Sequence, residues 1–380
     1  MMLLALELKK VNFEVIFACN RTYALDAIQL GINCIYLTSQ SECSPDSSQA
    51  LVWDHQKSFK NTLSWDTSWS TLITKNHAEL LRLVNKGDLL IASTNILISD
   101  LVATQQQARW VEVGLNPCSF LTSDMDSKEH DSNRWNDGLN KVRKIIFNTA
   151  KIEESLKASE LRLHAVPKDF CDQTFGYLQC IPTGFWLSPD SGQQDNLKKQ
   201  KTKINKSFHY ERLVLSVSSQ LIEEPISFIQ KHLAIAKLIN LPLVVANTKT
   251  FSACDLEDKL LKWIPEDSIE QFLDQQSIYF NHGGIGSLAS GFRSKATMMI
   301  EPFSGEQLMN GYLCLRKELA YIINREKFDP QEIANIIQSK EAQIQQGTTS
   351  NAHINPQWFT GIQFSRQIIE NLLTAKRLMV

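Results

Sequence analysis

The chain has 380 residues, 43% of them hydrophobic and 21% charged, and its 39 basic and 41 acidic residues leave a net charge of -2. At about 150 residues per domain this is length for two domains with a sizeable core each, and the composition excludes a disordered, collagen-like or low-complexity chain. The near-neutral balance argues against a protein that tracks nucleic-acid phosphates, because such proteins carry a basic excess.

No apolar run reaches the roughly 20 residues a membrane helix needs. Met1 to Leu6 is apolar, but Glu7-Leu8-Lys9-Lys10 follows where a signal peptide would need small residues for cleavage, so none is expected. The eight cysteines lack CxxC or Cys/His spacing, which speaks against zinc and against a disulfide scaffold. A cytoplasmic protein with reduced thiols is expected, with peripheral contact at the inner face of the membrane left open.

Helical spacing of Leu and Ala predicts a helix over 1–10, and the apolar run 11–19 predicts a strand. A helix over 23–30 stopped by Gly31 and a strand over 33–37 follow. Residues 38–69, rich in Ser, Asp and Trp, read as loops with a short helix. Then come a helix over 76–84, a strand over 88–93, a helix over 99–108 and a strand over 108–113, with helices expected over 134–147 and 152–161. The polar stretch 187–206, with Lys198-Lys199-Gln200-Lys201, reads as a solvated linker or exposed loop.

A second α/β series begins beyond it. Strands are expected over 213–218, 243–247, near Lys262-Trp263, 277–280 and 297–301; helices over 226–239, 268–273, 287–292, 307–317, 329–338 and 360–378. Two such series imply two doubly wound units, with ligand at the carboxyl ends of the strands. The domains expected are 1–186, the linker 187–206, a second domain 207–359 and a final helix over 360–380.

Chemistry concentrates in Tyr279-Phe280-Asn281-His282-Gly283-Gly284-Ile285-Gly286-Ser287. A strand runs through glycines into a helix starting at Ser287, which leaves backbone N–H groups and the positive end of the helix dipole at the loop mouth. Such an end attracts phosphate. His282 and the Ser287 hydroxyl can donate to phosphate oxygens, and Asn281 could orient the histidine. The spacing fits neither a P-loop nor GxGxxG, so NTPases and NAD enzymes lose support.

From Trp263 to Gln307 the sequence resembles the donor-binding signature of the family 1 nucleotide-sugar glycosyltransferases. The matching elements are Trp263, Pro265, His282, Gly284, Ser287, Pro302, Glu306 and Gln307, with Asn310 beyond them. The bacterial rhamnosyltransferase-like and macrolide or sterol group is most similar, since His-Gly-Gly-Ile-Gly is common there. Looser likenesses lie at Val52 to Phe59, Gly114 to Phe120 and Thr183-Gly184-Phe185.

The resemblance implies an α/β chain of the GT-B fold: two Rossmann-like doubly wound domains, the first for an acceptor and the second for a nucleotide sugar, with the C-terminal helix crossing back to the first. It implies that Trp263 stacks on a uracil or thymine base, that His282, Gly283, Gly284, Gly286 and Ser287 hold the diphosphate, and that Glu306 and Gln307 contact sugar hydroxyls. Ser218 and Ser219 match a turn that also faces the diphosphate, although its glycine is absent. A UDP- or dTDP-sugar is then the donor substrate, with no resident cofactor and no metal, since the helix end and His282 can offset the diphosphate charge.

Glu306 stands where Asp is usual, Ser290 where plant members have a ribose-binding Glu, and Arg293-Ser294-Lys295-Ala296 where a tight Gly-Pro turn is usual. The first strand of the family, with the loop bearing its catalytic base, has no counterpart before the helix over 1–10. Residues upstream of Met1, a non-catalytic relative acting as a nucleotide-sugar-binding or partner protein, or a substitute base among His55, His77 and Asp100 are the competing explanations. The catalytic base is therefore unassigned. The activity expected is inverting transfer of a hexose or deoxyhexose to a hydroxyl of a small lipid or natural product.

Overall fold

The computed structural model describes residues 1–37, 67–93, 98–115, 117, 158–170, 180–187, 208–216, 224–247, 256–303, 305–347 and 354–375. Packing divides the chain into two units, Met1–Trp186 with Thr360–Val380, and Leu187–Phe359. The expected helix over 134–147 lies outside the described residues.

In the first unit, α1 (Met2–Lys10) is followed by β1 (Ile16–Cys19), α2 (Arg21–Gln29) and β2 (Asn33–Tyr36). The strand expected over 11–19 is shortened because Val11, Asn12 and Phe13 close the helix: their N–H groups donate to carbonyls of Leu8 and Lys9, with Asn12 in the left-handed region. Next come α3 (Thr67–Leu83), β3 (Leu89–Ser93), α4 (Ser99–Gln105), β4 (Arg109–Gly114), β5 (Leu161–His164) and β6 (Ile181–Pro182). β1 pairs in parallel with β2, and β3, β4, β5 and β6 form a second parallel sheet; no described strand joins the two.

The helix expected over 152–161 fails at its end. Leu161 opens β5 and pairs with Val111, because Leu163 there completes an apolar cluster with Leu4 and Leu8 of α1 and Val111 and Val113 of β4. Burial against a neighbouring strand outweighs local helix propensity. The same cluster takes in Ile369 of the last helix, α9 (Gly361–Ala375), so the C-terminal helix packs on the first unit. Arg109 holds it there with a bidentate pair to Glu160 (2.6 Å from Nη2 to Oε2) and a hydrogen bond from Nη2 to the Leu372 carbonyl.

The second unit runs β7 (Arg212–Ser216), α5 (Pro225–Ile239), β8 (Leu243–Asn247), β9 (Leu261–Pro265), a 3-10 helix (Glu266–Phe272), β10 (Ser277–Asn281), α6 (Ile285–Ser294) and β11 (Thr297–Ile300). It continues with α7 (Gly305–Arg316), β12 (Ala320–Ile322), a short 3-10 turn (Arg325–Lys327) and α8 (Pro330–Gln345). Its six strands are parallel in the order β12-β11-β10-β7-β8-β9. The segment expected as a helix over 268–273 is 3-10 because the connection must cross back over three strand spacings, about 14 Å, and its longer rise per residue suits a short link.

Parallel strands covered on both faces read as continuous apolar runs, which is why this half is legible in the sequence. Leu213, Leu215, Val245, Ile278, Phe280 and Met299 pack against Phe228, Ile229 and Leu233 of α5 and Ile333 and Ile337 of α8. α8 starts at Asp329, whose carboxylate accepts from the N–H groups of Gln331 (2.8 Å) and Glu332 (3.4 Å), with Pro330 in the first turn. Asp329→Ala should lower stability by about 1 kcal/mol, read as a lower urea midpoint with an unchanged slope.

Candidate functional site

The strand order of the second unit reverses between β7, its first strand, and β10, its fourth. A crevice opens at the carboxyl ends of the strands at such a point. There Asn281 closes β10 opposite Ser216 of β7, and His282 follows. Asn281 Oδ1 accepts from the Gly283 N–H (2.9 Å), and Asn310 on α7 donates from Nδ2 to the Gly283 carbonyl (2.9 Å). Two asparagines thus clamp the glycine loop from both sides.

Gly283 has φ +82, and a Cβ there would stand 2.8 Å from the Gln307 carbonyl oxygen. Gly284 is required for a different reason: its Cβ would lie 2.3 Å from His282 Nε2, because the imidazole lies against it. At Gly286 an added Cβ meets none of the described residues beyond its own helix within 4 Å.

The helix begins earlier than the sequence reading expected. Gly284 is its N-cap, and Ile285, Gly286 and Ser287 form the first turn, because the Leu288 N–H already closes on the Gly284 carbonyl. The N–H groups of residues 285–287 therefore have no acceptor within the helix. Among the described residues no side chain caps this end.

His282 is 7% exposed. Burial pushes its imidazole down to about 4, against a hydrogen bond to the Ser216 backbone that pulls the other way. The ring is neutral at pH 7, and its Nδ1 has no hydrogen-bond partner among the described residues. An uncapped helix start beside an unpartnered, buried ring nitrogen is suited to an anionic ligand bearing acceptor oxygens.

The other expected residues fall as follows. Trp263 sits in β9, half-buried and packed on the main core, with Val245 as its strand partner. Gln307, 6% exposed, accepts the Phe303 N–H at Oε1 (2.7 Å). Glu306 is in the first turn of α7, and its side chain is not among those described; Ser218 and Ser219 lie outside the described residues. Ser290 donates to Glu270 (2.8 Å), and Lys295, left-handed at φ 60, closes α6 where a Gly-Pro turn was looked for.

Of the substitute bases, His77 is buried and hydrogen-bonded to Gln105 (2.7 Å), its pKa lowered by burial, and Asp100 lies in the first turn of α4, where its carboxylate accepts from the Leu101 N–H. His55 lies outside the described residues. The sequence reading missed Ser216 and the clamping role of Asn310; Asn310 was visible only as a position in the signature. The sequence also holds one Asp-x-Asp triplet, Asp124-Met125-Asp126, outside the described residues.

A small open depression lies at the other end of the sheet, near the starts of β11 and β12, lined by Lys295, Thr297, Glu318 and Lys340 among others. It faces the amino ends of the strands, away from the glycine loop. Among the described residues no group of three or more His, Cys, Asp or Glu is placed to hold a metal, and no helix is long and apolar enough to cross a membrane.

No protein-family model matches the sequence, and no curated protein matches it. Solved structures do. The glycotransferase of kitacinnamycin superposes with a TM-score of 0.65 at 13% identity, covering 98% of this chain and 95% of its own. SsfS6, a glycosyltransferase of Streptomyces sp. SF2575 complexed with thymidine diphosphate, gives 0.60 at 14%, covering 97% and 95%. The spinosyn rhamnosyltransferase SpnG, complexed with spinosyn aglycone, gives 0.59 at 14%, covering 98% and 93%. This likeness gives the fold: the chain has the two-unit α/β architecture of the GT-B class.

Proposed function

We propose that this chain is a glycosyltransferase that moves a hexose or deoxyhexose from a UDP- or dTDP-sugar to a hydroxyl of a small lipid or natural product. The carrying observation is the start of α6, which no described side chain caps, with Nδ1 of buried His282, unpartnered among the described residues, beside it at the switch point of the sheet. The GT-B likeness supports the same reading: one neighbour holds thymidine diphosphate and another an aglycone.

In this reading the first-turn N–H groups of α6, the backbone of Gly283 to Gly286 and the Ser287 hydroxyl receive the diphosphate. A neutral imidazole suits the site in the free protein, because a buried cation would be costly there. An approaching diphosphate raises the ring's proton affinity, so Nδ1 takes a proton from solvent water and shares it in a hydrogen bond with a phosphate oxygen. Leaving-group charge is thereby offset without a metal, as an inverting displacement requires. Trp263 offers the uncovered part of its indole to the base, Glu306 and Gln307 meet sugar hydroxyls, and Ser218 and Ser219 complete the diphosphate site. Domains 1–186 and 207–359 divide acceptor from donor binding.

Calorimetric titration of the purified protein with UDP and dTDP, beside Trp263→Ala and His282→Ala, tests this. Stacking is worth about 1–3 kcal/mol per base, so each substitution should weaken binding about tenfold or more with the fold retained. A well-folded wild-type chain that binds neither nucleotide would overturn the proposal in favour of a scaffold without donor binding.

A further inference from the structure

Beneath the crevice lies a buried charged cluster that the donor site, as described, does not use. Glu301 follows β11 and is 5% exposed. Its Oε2 is 3.3 Å from Nε2 of His232 on α5, and its Oε1 is 3.3 Å from Nε of Arg325. The histidine is fully buried, and its Nδ1 lies 2.9 Å from the Phe228 carbonyl, so Nδ1 carries a proton and Nε2 is left facing the carboxylate. At 3.3 Å that last contact is not an aligned hydrogen bond, since neither Nε2 nor Oε2 has a hydrogen-bond partner among the described residues.

A buried carboxylate facing His232, whose ring packs against Phe228, Phe280 and Phe328, is a poor choice for stability, because an apolar residue of similar volume would pack there without desolvating a charge. Its effect is on position. The Glu301 N–H donates to the Asn281 carbonyl (2.8 Å) and so extends the β10–β11 ladder to the glycine loop. Two residues on, Phe303 is held between the Phe228 ring (5.9 Å between centroids) and the Arg325 guanidinium (4.0 Å to the ring centroid). The Phe303 N–H then binds the Gln307 side chain, and the Gln307 carbonyl lies against Gly283. The cluster ties three elements distant in sequence to the turn that carries Glu306 and Gln307.

From this we infer that Glu301, held by His232 and Arg325, is a positioning residue for the part of the site that meets the sugar. The inference rests on the donor reading proposed above. The glycine loop has side-chain clamps of its own in Asn281 and Asn310, so base and diphosphate binding should fall less than sugar binding when the cluster is disturbed. The sugar contacts depend on it, because their turn is fixed through Phe303.

The test compares affinities for UDP and dTDP with those for a panel of UDP- and dTDP-hexoses, in wild type, Glu301→Gln and Arg325→Met. Arg325 is partly exposed, so its substitution keeps the test open if Glu301→Gln does not fold. Expected is a loss of about tenfold in affinity for the preferred sugar nucleotide relative to its nucleoside diphosphate, with partial recovery in Arg325→Lys. An unchanged ratio in the variants, or an equal fall for both ligands, would overturn the positioning role while leaving donor binding intact. A wild type that binds no nucleoside diphosphate would instead sink the donor reading, and the inference with it.

Discussion

Gly284→Ala is expected to weaken UDP or dTDP binding by about 100-fold while the protein stays folded. The new methyl would stand 2.3 Å from His282 Nε2 and 3.1 and 3.2 Å from the neighbouring ring carbons. All three distances are inside van der Waals contact, so the imidazole must swing away and give up its bond to Ser216. A displacement of about 1 Å in a positioned group can cost 100-fold. The displaced ring also crowds the start of α6, which makes the loss larger than that from His282→Ala. Gly286→Ala is the control for folding alone, since a Cβ there meets no described atom beyond its own helix within 4 Å; it should fold at least as stably as wild type, because alanine favours a helix over glycine by up to about 1 kcal/mol. Titration of both variants, with melting temperatures alongside, checks the pair. Wild-type affinity in Gly284→Ala would mean that the place of the ring does not matter to the ligand.

Acidification should destabilise the protein through His282 by about 3 kcal/mol between pH 6.5 and pH 4. Burial lowers its pKa from 6.5 to about 4 in the folded chain, whereas in the unfolded chain the ring titrates near 6.5. Between those values the unfolded state holds the extra proton, so stability rises with pH across the window. The stabilising difference is fully present above 6.5 and is lost as pH falls through 4. Urea unfolding of wild type and His282→Gln at a series of pH values isolates this part, since other groups titrate alike in both. A gap between the two that stays constant from pH 7 to pH 4 would refute the burial argument.

Particular segments explain why one half of the molecule was more legible than the other. β7, β8 and β10 are short apolar runs bounded by turns, buried on both faces, and their ends fall within two residues of the sequence reading. β6 and β12 are only two and three residues long and carry too little pattern to find. β5 is not found because the expected helix over 152–161 takes in Leu161, its first residue, and the short run Leu161–His164 carries no strand pattern of its own; only pairing with β4 decides it. At the site, the loop residues were named in advance, yet the helix start moved from Ser287 back to a Gly284 cap.

The α/β class, the two series of elements and the strand-to-helix loop at His282 are legible from residue order, because periodicity and turn chemistry are properties of neighbouring residues. That β10 lies beside β7, so that the backbone of residue 216 meets a ring at residue 282, follows from the folded sheet alone. The tertiary structure alone brought residues 232, 301 and 325 into one buried cluster. Such contacts depend on strand order and on which helix covers which face. Those are fixed by the burial of whole apolar surfaces rather than by any local run of side chains.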